Sequence, residues 1–560
     1  MPVRKRVLRF LSDPQALGLA GLFMLTWPVY YIAAPWLGLI SDDWTHFRTA
    51  LTHWQGLFTG WTTWQRPLEG VAWVLARTLF GTYLPGYYVL LFTLHLLAAW
   101  LLFLTLARIF PARWDLAFVS STLFLVFPSD QSRFWLSTFA YRLGLVFLLL
   151  SVYLAVGARG RWGIAGVLSL VCYLCAILSN EIFLPLGLVP VLLLAHARPR
   201  RWRAIAGSAL PFALVLAGYG AYRLGAPYLL HVVEGKASLF GASISSMEYK
   251  LLRVFQVNLN DAWLYAWRRV IGLNTEGRWA AVVAMAVVTG SLVLLWRTGK
   301  EPADEGCTAW MALAGGLGLM LLGYLSIMPT AYGVGLGSID SRVNIAASPG
   351  AALAVGGAGL ILADCVGRIF RRRWAERGIL ALWLTGLVLL AAGEQVAVRH
   401  DNTEAWAEQC SIWRQMLAQV PALKPDTYVI IAGVPRWRNA ARILSASWEV
   451  TSALQLIYNN EQVRGDVIPA DELPVTGEED RSRIRFGPDS FSPRDSDEKI
   501  DYRHLIILDY QADGLVDMAN VPPWAPKNLS ELHTHPETMD WSPASAPIRR
   551  LLQVPSVPPW

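Results

Sequence analysis

The sequence predicts a polytopic α-helical membrane protein of about eleven transmembrane helices followed by a small extracytoplasmic α/β domain. Three observations carry that prediction. Apolar residues make up 54% of the 560 positions and charged residues only 16%, where a soluble domain carries about a quarter charged. The apolar residues come in runs that approach the roughly 20 residues a helix needs to cross a bilayer core. The Lys and Arg residues behind the net charge of +7 sit in short segments between those runs, as membrane orientation requires, so nucleic acid is excluded as a partner.

In chain order the candidate spans lie near 17-40, 85-107, 114-128, 134-157, 162-179, 182-197, 203-224, 279-297, 308-328, 345-367 and 376-396. The basic opening Met1-Pro2-Val3-Arg4-Lys5-Arg6 resembles a signal peptide, but the run after it is too long for an h-region and no small-residue cleavage site follows. It is therefore read as a retained first span. With the N-terminus cytoplasmic, the inside segments are 4-9, 108-113, 159-161, 198-203, 297-300 and 368-377, and each carries at least two Lys or Arg. The short outside loops carry only Arg133 near 129-133, none at Asn180-Glu181, and Arg342 near 329-344. That alternation follows the positive-inside rule; the long basic loop 225-278 bears weakly on orientation.

The outside loop 41-84 opens with Ser41-Asp42-Asp43-Trp44-Thr45-His46-Phe47 and continues to Arg66-Pro67-Leu68-Glu69. Two adjacent carboxylates at a membrane surface cost solvation and Coulomb energy unless they hold a cation or do acid/base work, so the pair is a candidate site. The plainer reading is a solvated loop that caps the next helix. On this topology Asp42, Asp43, Arg66, Glu69, Asp130, Arg133, Glu181, Arg223 and Arg342 all gather at outside ends of spans or in outside loops. Arg142 lies about nine residues into its span, roughly 13 Å at helical rise. A guanidinium there should face an anion in a polar cavity or form a structural ion pair with one of those acids. Residues 66-80 read as an amphipathic helix in the outer interface, with Pro67 in its first turn and Trp73 as its anchor. A second such segment is read at 248-270, where Trp263 and Trp267 alternate with Arg268 and Arg269.

The five cysteines point to no redox chemistry. Cys172 and Cys175 form a C-x-x-C inside an apolar helix, where they read as small core residues, and Cys410 stands alone in the polar tail. That tail, 397-560, begins with a helix from Asn402 to Leu417 and a buried-strand pattern from Tyr428 to Ala432. A helix near 437-458, an acidic stretch 471-500, a second strand from His504 to Leu508 and a proline-rich end follow. An odd span count puts the tail outside, on the side of the acidic pair. Acceptor recognition and a packing or assembly role are both open for it.

Taken together, the basic N-terminus, a single span, an outside loop opening with Asp42-Asp43-Trp44-Thr45-His46-Phe47, the later Arg66-Pro67-Leu68 and Leu94-His95-Leu96-Leu97 resemble the GT-C superfamily of integral-membrane glycosyltransferases. The likeness is to its polyprenyl-phosphate-sugar-dependent members, such as the protein O-mannosyltransferases and the lipid A aminosugar transferases. It continues at Leu178-Ser179-Asn180-Glu181-Ile182-Phe183-Leu184-Pro185, with Asn180 where the family often has Lys. Ser341-Arg342-Val343-Asn344 is similar to a late Ser/Glu-Arg-Tyr pattern, with Val343 in place of the aromatic. The likeness covers about residues 1-400, the segment 1-396 forming the transmembrane unit.

The resemblance implies a base that takes the acceptor hydroxyl proton, and a carboxylate beside a second acid is suited to that task. By the family pattern Asp42 is that base and Asp43 orients it or holds the acceptor. Arg342, Arg142 and Arg66, in that order, are the candidates for the leaving phosphate, because guanidinium suits bidentate phosphate contact. Glu181, Glu69 and His46 are expected to position the sugar or acceptor. One-step displacement would invert the anomeric centre. No cofactor beyond the donor, a polyprenyl-phosphate sugar, is expected; two Asp could hold a divalent metal, but the lipid-monophosphate members do not need one. The implied partners are the lipid-linked donor, membrane lipids, an acceptor glycan, lipid or protein, and other membrane proteins. The implied location is the bacterial plasma membrane, in cell-envelope glycosylation. The competing class is a non-enzymatic membrane protein: a transporter, a flippase or a structural subunit of a membrane assembly. Transporters gather polar groups at the midplane, whereas the charges here, apart from Arg142 and His95, collect at one face.

Overall fold

The computed structural model describes residues 13–59, 66–158, 163–196, 202–230, 244–298, 306–330, 332–337, 340–472, 484–486, 490–493, 498–511, 514–516 and 552. Seven helical segments in it are long and apolar enough to cross a membrane: Pro14–Trp36, Leu84–Ile109, Leu136–Ala158, Thr275–Arg297, Cys307–Tyr324, Ser348–Phe370 and Arg373–Gln419. Three shorter apolar helices cover Trp114–Val126, Ile164–Ser179 and Glu181–Leu193. By length and composition this is an integral membrane protein. Of the eleven expected spans, seven therefore have crossing length and three fall short; the segment near 203-224 is helical within Trp202–Leu230.

The helices, in chain order, are α1 (Pro14–Val29), α2 (Asp42–Thr52), α3 (Pro67–Phe80), α4 (Leu84–Ile109), α5 (Trp114–Val126), α6 (Phe139–Ala158), α7 (Ile164–Ser179), α8 (Leu188–His196) and α9 (Trp202–Leu230). They continue as α10 (Ile244–Gln256), α11 (Ala262–Ile271), α12 (Thr275–Thr298), α13 (Gly306–Tyr324), α14 (Ser348–Phe370), α15 (Arg373–Gln419) and α16 (Ser447–Tyr458). Prolines explain where runs break. Pro28 and Pro35 lack the N–H that an α-helix interior needs, and the chain passes from α1 into a 3₁₀ segment, Tyr31–Trp36. Asn180 accepts the Ile182 N–H at 3.1 Å, and two 3₁₀ turns, the second opening at Pro185, precede α8.

The transmembrane helices pack pairwise, α6 along α7 and α13 along α14, while α12 lies against both α1 and α15. The α13/α14 crossing depends on glycine: a Cβ on Gly350 would lie 2.3 Å from Met320 N, and one on Gly316 2.4 Å from Ala354 N. Backbones brought this close gain dispersion contact that larger residues would forbid.

Three expectations change. The composition shift at 396 is not the end of a helix: α15 runs unbroken for 47 residues, about 70 Å at helical rise, and carries the chain from the bundle into the tail. Helix α3 forms as expected, but Trp73 is fully buried against His46 and Phe139 and is no interfacial anchor. The segment 248-270 forms α10 and α11, joined by one π turn at Val257–Asp261, with Trp267 and Arg268 exposed and Trp263 partly buried.

In the tail, strands β1 (Tyr428–Val434), β4 (Arg464–Pro469), β8 (Leu505–Gln511) and β9 (Gly514–Val516) form one sheet in the order β4-β1-β8-β9, parallel except for β9. A hairpin of β2 (Trp437–Arg438) and β3 (Ala441–Arg442) occupies the start of the helix expected at 437-458, so α16 begins only at Ser447. Three two- or three-residue strands, β5 (Arg485–Phe486), β6 (Ser490–Ser492) and β7 (Ile500–Asp501), lie within the acidic stretch and just beyond it; the proline-rich end and residues 473–483 lie outside the described residues. Alternate residues of β1 explain its unbroken apolar run: Tyr428 and Ile430 face a small core with Phe491 and Tyr502, while Val429 and Ile431 join the main core. Helix α16, the crossover between β1 and β4, packs against α2. The tail is thus docked on the loop that carries the acidic pair.

Candidate functional site

The acidic pair occupies the first turn of α2, where carboxylates complement the helix dipole. The turn before it is tight. Gly38 passes beneath Trp406 of α15, where a Cβ would lie 1.7 Å from the indole, and Ser41 has φ 51° and ψ −119°, a conformation that favours glycine and costs a side-chain-bearing residue about 1–3 kcal/mol.

Asp43 is closed to any substrate. It is fully buried, and its carboxyl accepts the N–H groups of Ile40 and Leu136 at 3.2 Å each and the N–H and hydroxyl of Ser137 at 2.6 Å each. Burial pushes it up to about 8 against the pull of those donors. Its work is to fasten the α2 turn to the 132-138 segment, so this half of the pair is neither a solvated cap nor a free acid. Asp42 is different. It is half-buried, and one oxygen, Oδ1, accepts the Trp448 indole N–H at 3.0 Å from the head of α16. Among the described residues no donor meets its other oxygen.

On the same side of α2, one turn on, His46 stacks on Trp73 and holds Nε2 3.5 Å from Glu69. Burial pushes Glu69 up, His46 and Arg66 pull it down, and Asp42 and Glu181 push it up again, so Glu69 feels all four neighbours. Arg66 donates to Glu181 through Nε at 2.9 Å and Nη2 at 2.6 Å, a fork geometry, and its guanidinium lies 6.0 Å from the Tyr141 ring. Arg223 of α9 reaches the same carboxylate at 4.0 Å and the Tyr219 hydroxyl at 3.2 Å. Arg66 and Glu181 keep 24% and 26% of their side-chain surface exposed.

Arg142 goes elsewhere. It is 1% exposed and forms a fork with Asp130, which is 0% exposed, at 2.7 and 3.2 Å. Arg133 completes that cluster, bonded to His95 Nε2 at 3.1 Å and to the carbonyls of Phe127 and Phe124. Burial alone would raise Asp130, yet Arg142 and Arg133 hold it well below the usual carboxylate range. Arg142 is thus taken up in a buried ion pair with Asp130, and its surroundings are sealed.

Arg342 lies 5.3 Å from the Trp135 ring and 5.6 Å from the Tyr332 ring. The Trp135 indole donates to Ile40 O at 3.1 Å, which sets this guanidinium one aromatic ring away from the α2 turn. Its loop is fixed from beneath. Gln131 donates from its backbone to Ser341 Oγ and from Nε2 to Glu394, and accepts the Gly337 N–H. Ser129, Asn258, Tyr324 and Asn344 close a buried ring of hydrogen bonds beside it.

Among the described residues no group of three or more His, Cys, Asp or Glu gathers as a metal site. Of the sequence candidates, Asp42, His46, Arg66, Glu69 and Glu181 come together, Arg342 stands nearby across Trp135, and Asp43 and Arg142 are taken up by the scaffold. Sequence reasoning missed Trp448 as a contact of Asp42 and Glu449 beside it, whose Oε1 accepts the Ser41 N–H at 2.9 Å. They lie over 400 positions away in the chain, and no signal in the sequence pointed to them.

No protein-family model and no curated protein matches the chain. Among solved structures it is similar to the crystal structure of ArnT from Cupriavidus metallidurans bound to undecaprenyl phosphate, with 14% sequence identity over 80% of this chain and 89% of that one and a TM-score of 0.35. A score of that size fixes neither the architecture nor the activity of this chain.

Proposed function

We propose that this protein is a GT-C-type glycosyltransferase that moves a sugar from a polyprenyl-phosphate donor to an acceptor hydroxyl at the outer face of a bacterial plasma membrane. One arrangement carries the reading: Asp42, half-buried and with one oxygen that meets no donor among the described residues, lies one turn from His46, which reaches Glu69, while Arg66, three residues before Glu69, forks onto Glu181, and Arg223 reaches that same acid. Four distant stretches of chain supply these groups. A lipid phosphate entering there meets the guanidinium groups of Arg66 and Arg223, either of which can offer a fork contact when phosphate competes with Glu181.

In this reading the acceptor O–H loses its proton to the open oxygen of Asp42 as its own oxygen bonds to the anomeric carbon. The bond from that carbon to the phosphate oxygen breaks, and its electron pair leaves on the phosphate, which Arg66 and Arg223 neutralise. Arg342 supports the phosphate from the Trp135 side. Attack opposite to the leaving group inverts the anomeric centre. Glu181 takes the role of holding Arg66 in place until phosphate competes for it, and His46 with Glu69 lines the sugar or acceptor side.

The test is transfer from a supplied polyprenyl-phosphate hexose by purified, folded protein. Asp42→Asn keeps the shape of the base and removes its proton affinity, so the rate should fall by about 10² or more with the melting temperature unchanged. Transfer at the parent rate by that variant would end the base assignment. A parent protein that binds no undecaprenyl phosphate would end the donor assignment and favour the non-enzymatic class.

A further inference from the structure

We infer that the C-terminal α/β unit is a working part of this site, in which Trp448 and Glu449 are positioning residues that hold the α2 turn and aim the Asp42 carboxylate. Two consecutive residues at the head of α16 grip two consecutive residues at the head of α2. Glu449 Oε1 accepts the Ser41 N–H at 2.9 Å, and Trp448 Nε1 donates to Asp42 Oδ1 at 3.0 Å. One turn further along both helices, Thr45 Oγ1 and Ser452 Oγ are bonded at 2.9 Å, and another turn on Arg48 reaches Gln455. The two helices are in register over three turns.

The grip falls where the backbone is least content. Ser41, at φ 51°, is held by a carboxylate that is itself fully buried and braced from behind, since Glu449 Oε2 accepts the Ser445 N–H at 3.0 Å. Strained backbone persists only where its surroundings over-determine it, and such places cluster at functional sites. The consequence is directional. With Oδ1 accepting the indole N–H, Asp42 turns toward α16 an oxygen pair of which Oδ2 meets no donor among the described residues, and its orientation is set by a unit that the transmembrane helices do not contain. A surface cap would need no such partner, and neither carboxylate of the pair caps α2 through its side chain.

This inference rests on the proposed function for its catalytic meaning, but its test does not depend on it. In the full-length protein in detergent, Trp448→Phe removes the N–H and keeps the ring, and Glu449→Gln weakens the hold on Ser41. Hydrogen exchange of the amides at 41–47 should rise by about tenfold or more in both, with exchange in α4 and α14 unchanged. Ser41→Gly, which removes the backbone penalty, should restore slow exchange to the Glu449→Gln protein. Undecaprenyl phosphate affinity should stay within about twofold of the parent, because neither residue touches the arginines. With a polyprenyl-phosphate hexose as donor, Trp448→Phe should lower kcat by about tenfold at unchanged donor KM. Unchanged exchange at 41–47 in both variants overturns the inference. So does a loss that appears in KM alone, or one that Ser41→Gly fails to repair. Loss of lipid phosphate binding by the parent would instead strike the proposed function and leave the exchange result standing.

Discussion

The Asp130 and Glu181 clusters have the same ingredients and opposite designs. Each sets one carboxylate against two arginines, but Asp130, Arg133 and Arg142 are sealed at 0%, 1% and 1% exposure, whereas Glu181, Arg66 and Arg223 keep 26%, 24% and 17%. The sealed cluster spends its donors inward: Arg133 on two carbonyls and His95, Arg142 on Asp130 and Ser132. The open one holds a single fork between Arg66 and Glu181 and leaves room for exchange of partners. Charge and residue type are alike in the two. What separates scaffold from site is whether water, and hence a ligand, can compete for the pair.

The comparison breaks most visibly at Arg142. Removing one partner of a sealed pair strands a buried charge, so Arg142→Ala should cost about 3–5 kcal/mol and sharply lower both yield and melting temperature in detergent. Arg66→Ala, by contrast, should cost under about 1 kcal/mol of stability, since its pair is partly screened by solvent. Its effect should appear instead as a loss of about tenfold or more in undecaprenyl phosphate affinity, measured by thermal shift or native mass spectrometry. If Arg66→Ala and Arg142→Ala were equally destabilising, the two clusters would be one kind of structure. A smaller change, a few-fold at most, is expected for Arg342→Lys, which keeps charge but loses the planar fork and its stacking on Trp135 and Tyr332.

The gentlest test uses pH at the joint between α2 and α16. Burial raises Glu449 from 4.5 to about 7, outweighing the N–H groups of Ser445 and Ser41 and the charge of Arg442, with Asp42 pushing it further up. The folded carboxyl holds its proton more tightly than the unfolded one, so this contribution to stability is full below about pH 4.5 and is lost as pH rises through about 7. The melting temperature should therefore fall by a few degrees between about pH 6 and pH 8. Glu449→Gln should flatten part of that fall and leave the remainder to Asp43, which titrates higher for the same reason of burial. A melting temperature that rose with pH over this window would contradict the sign.

Much of the bundle was legible in the chain because lipid imposes a simple rule: apolar runs of sufficient length become helices, since no water remains to satisfy their backbone groups. The same rule made the outlying acids and arginines conspicuous, and Asp42, His46, Arg66, Glu69 and Glu181 do gather. Partner choice was not legible. Arg142 and Arg66 look alike as candidates, and only packing decides that one is sealed against Asp130 and the other left half-open on Glu181. Asp42 and Asp43 are neighbours with opposite fates because successive residues of a helix point about 100° apart, one toward α16 and one into the bundle. The unbroken run of α15 through the composition change at 396 was hidden as well: polarity reports the surroundings of a helix, not its end. Trp448 and Glu449 reach Asp42 and Ser41 only because α15 carries the tail back over the loop. Sequence alone thus determined that long apolar helices form the bulk of the chain and which residue types are costly enough to matter. Tertiary structure decided which of those residues remain open to a ligand, because solvent access depends on contacts between segments hundreds of residues apart.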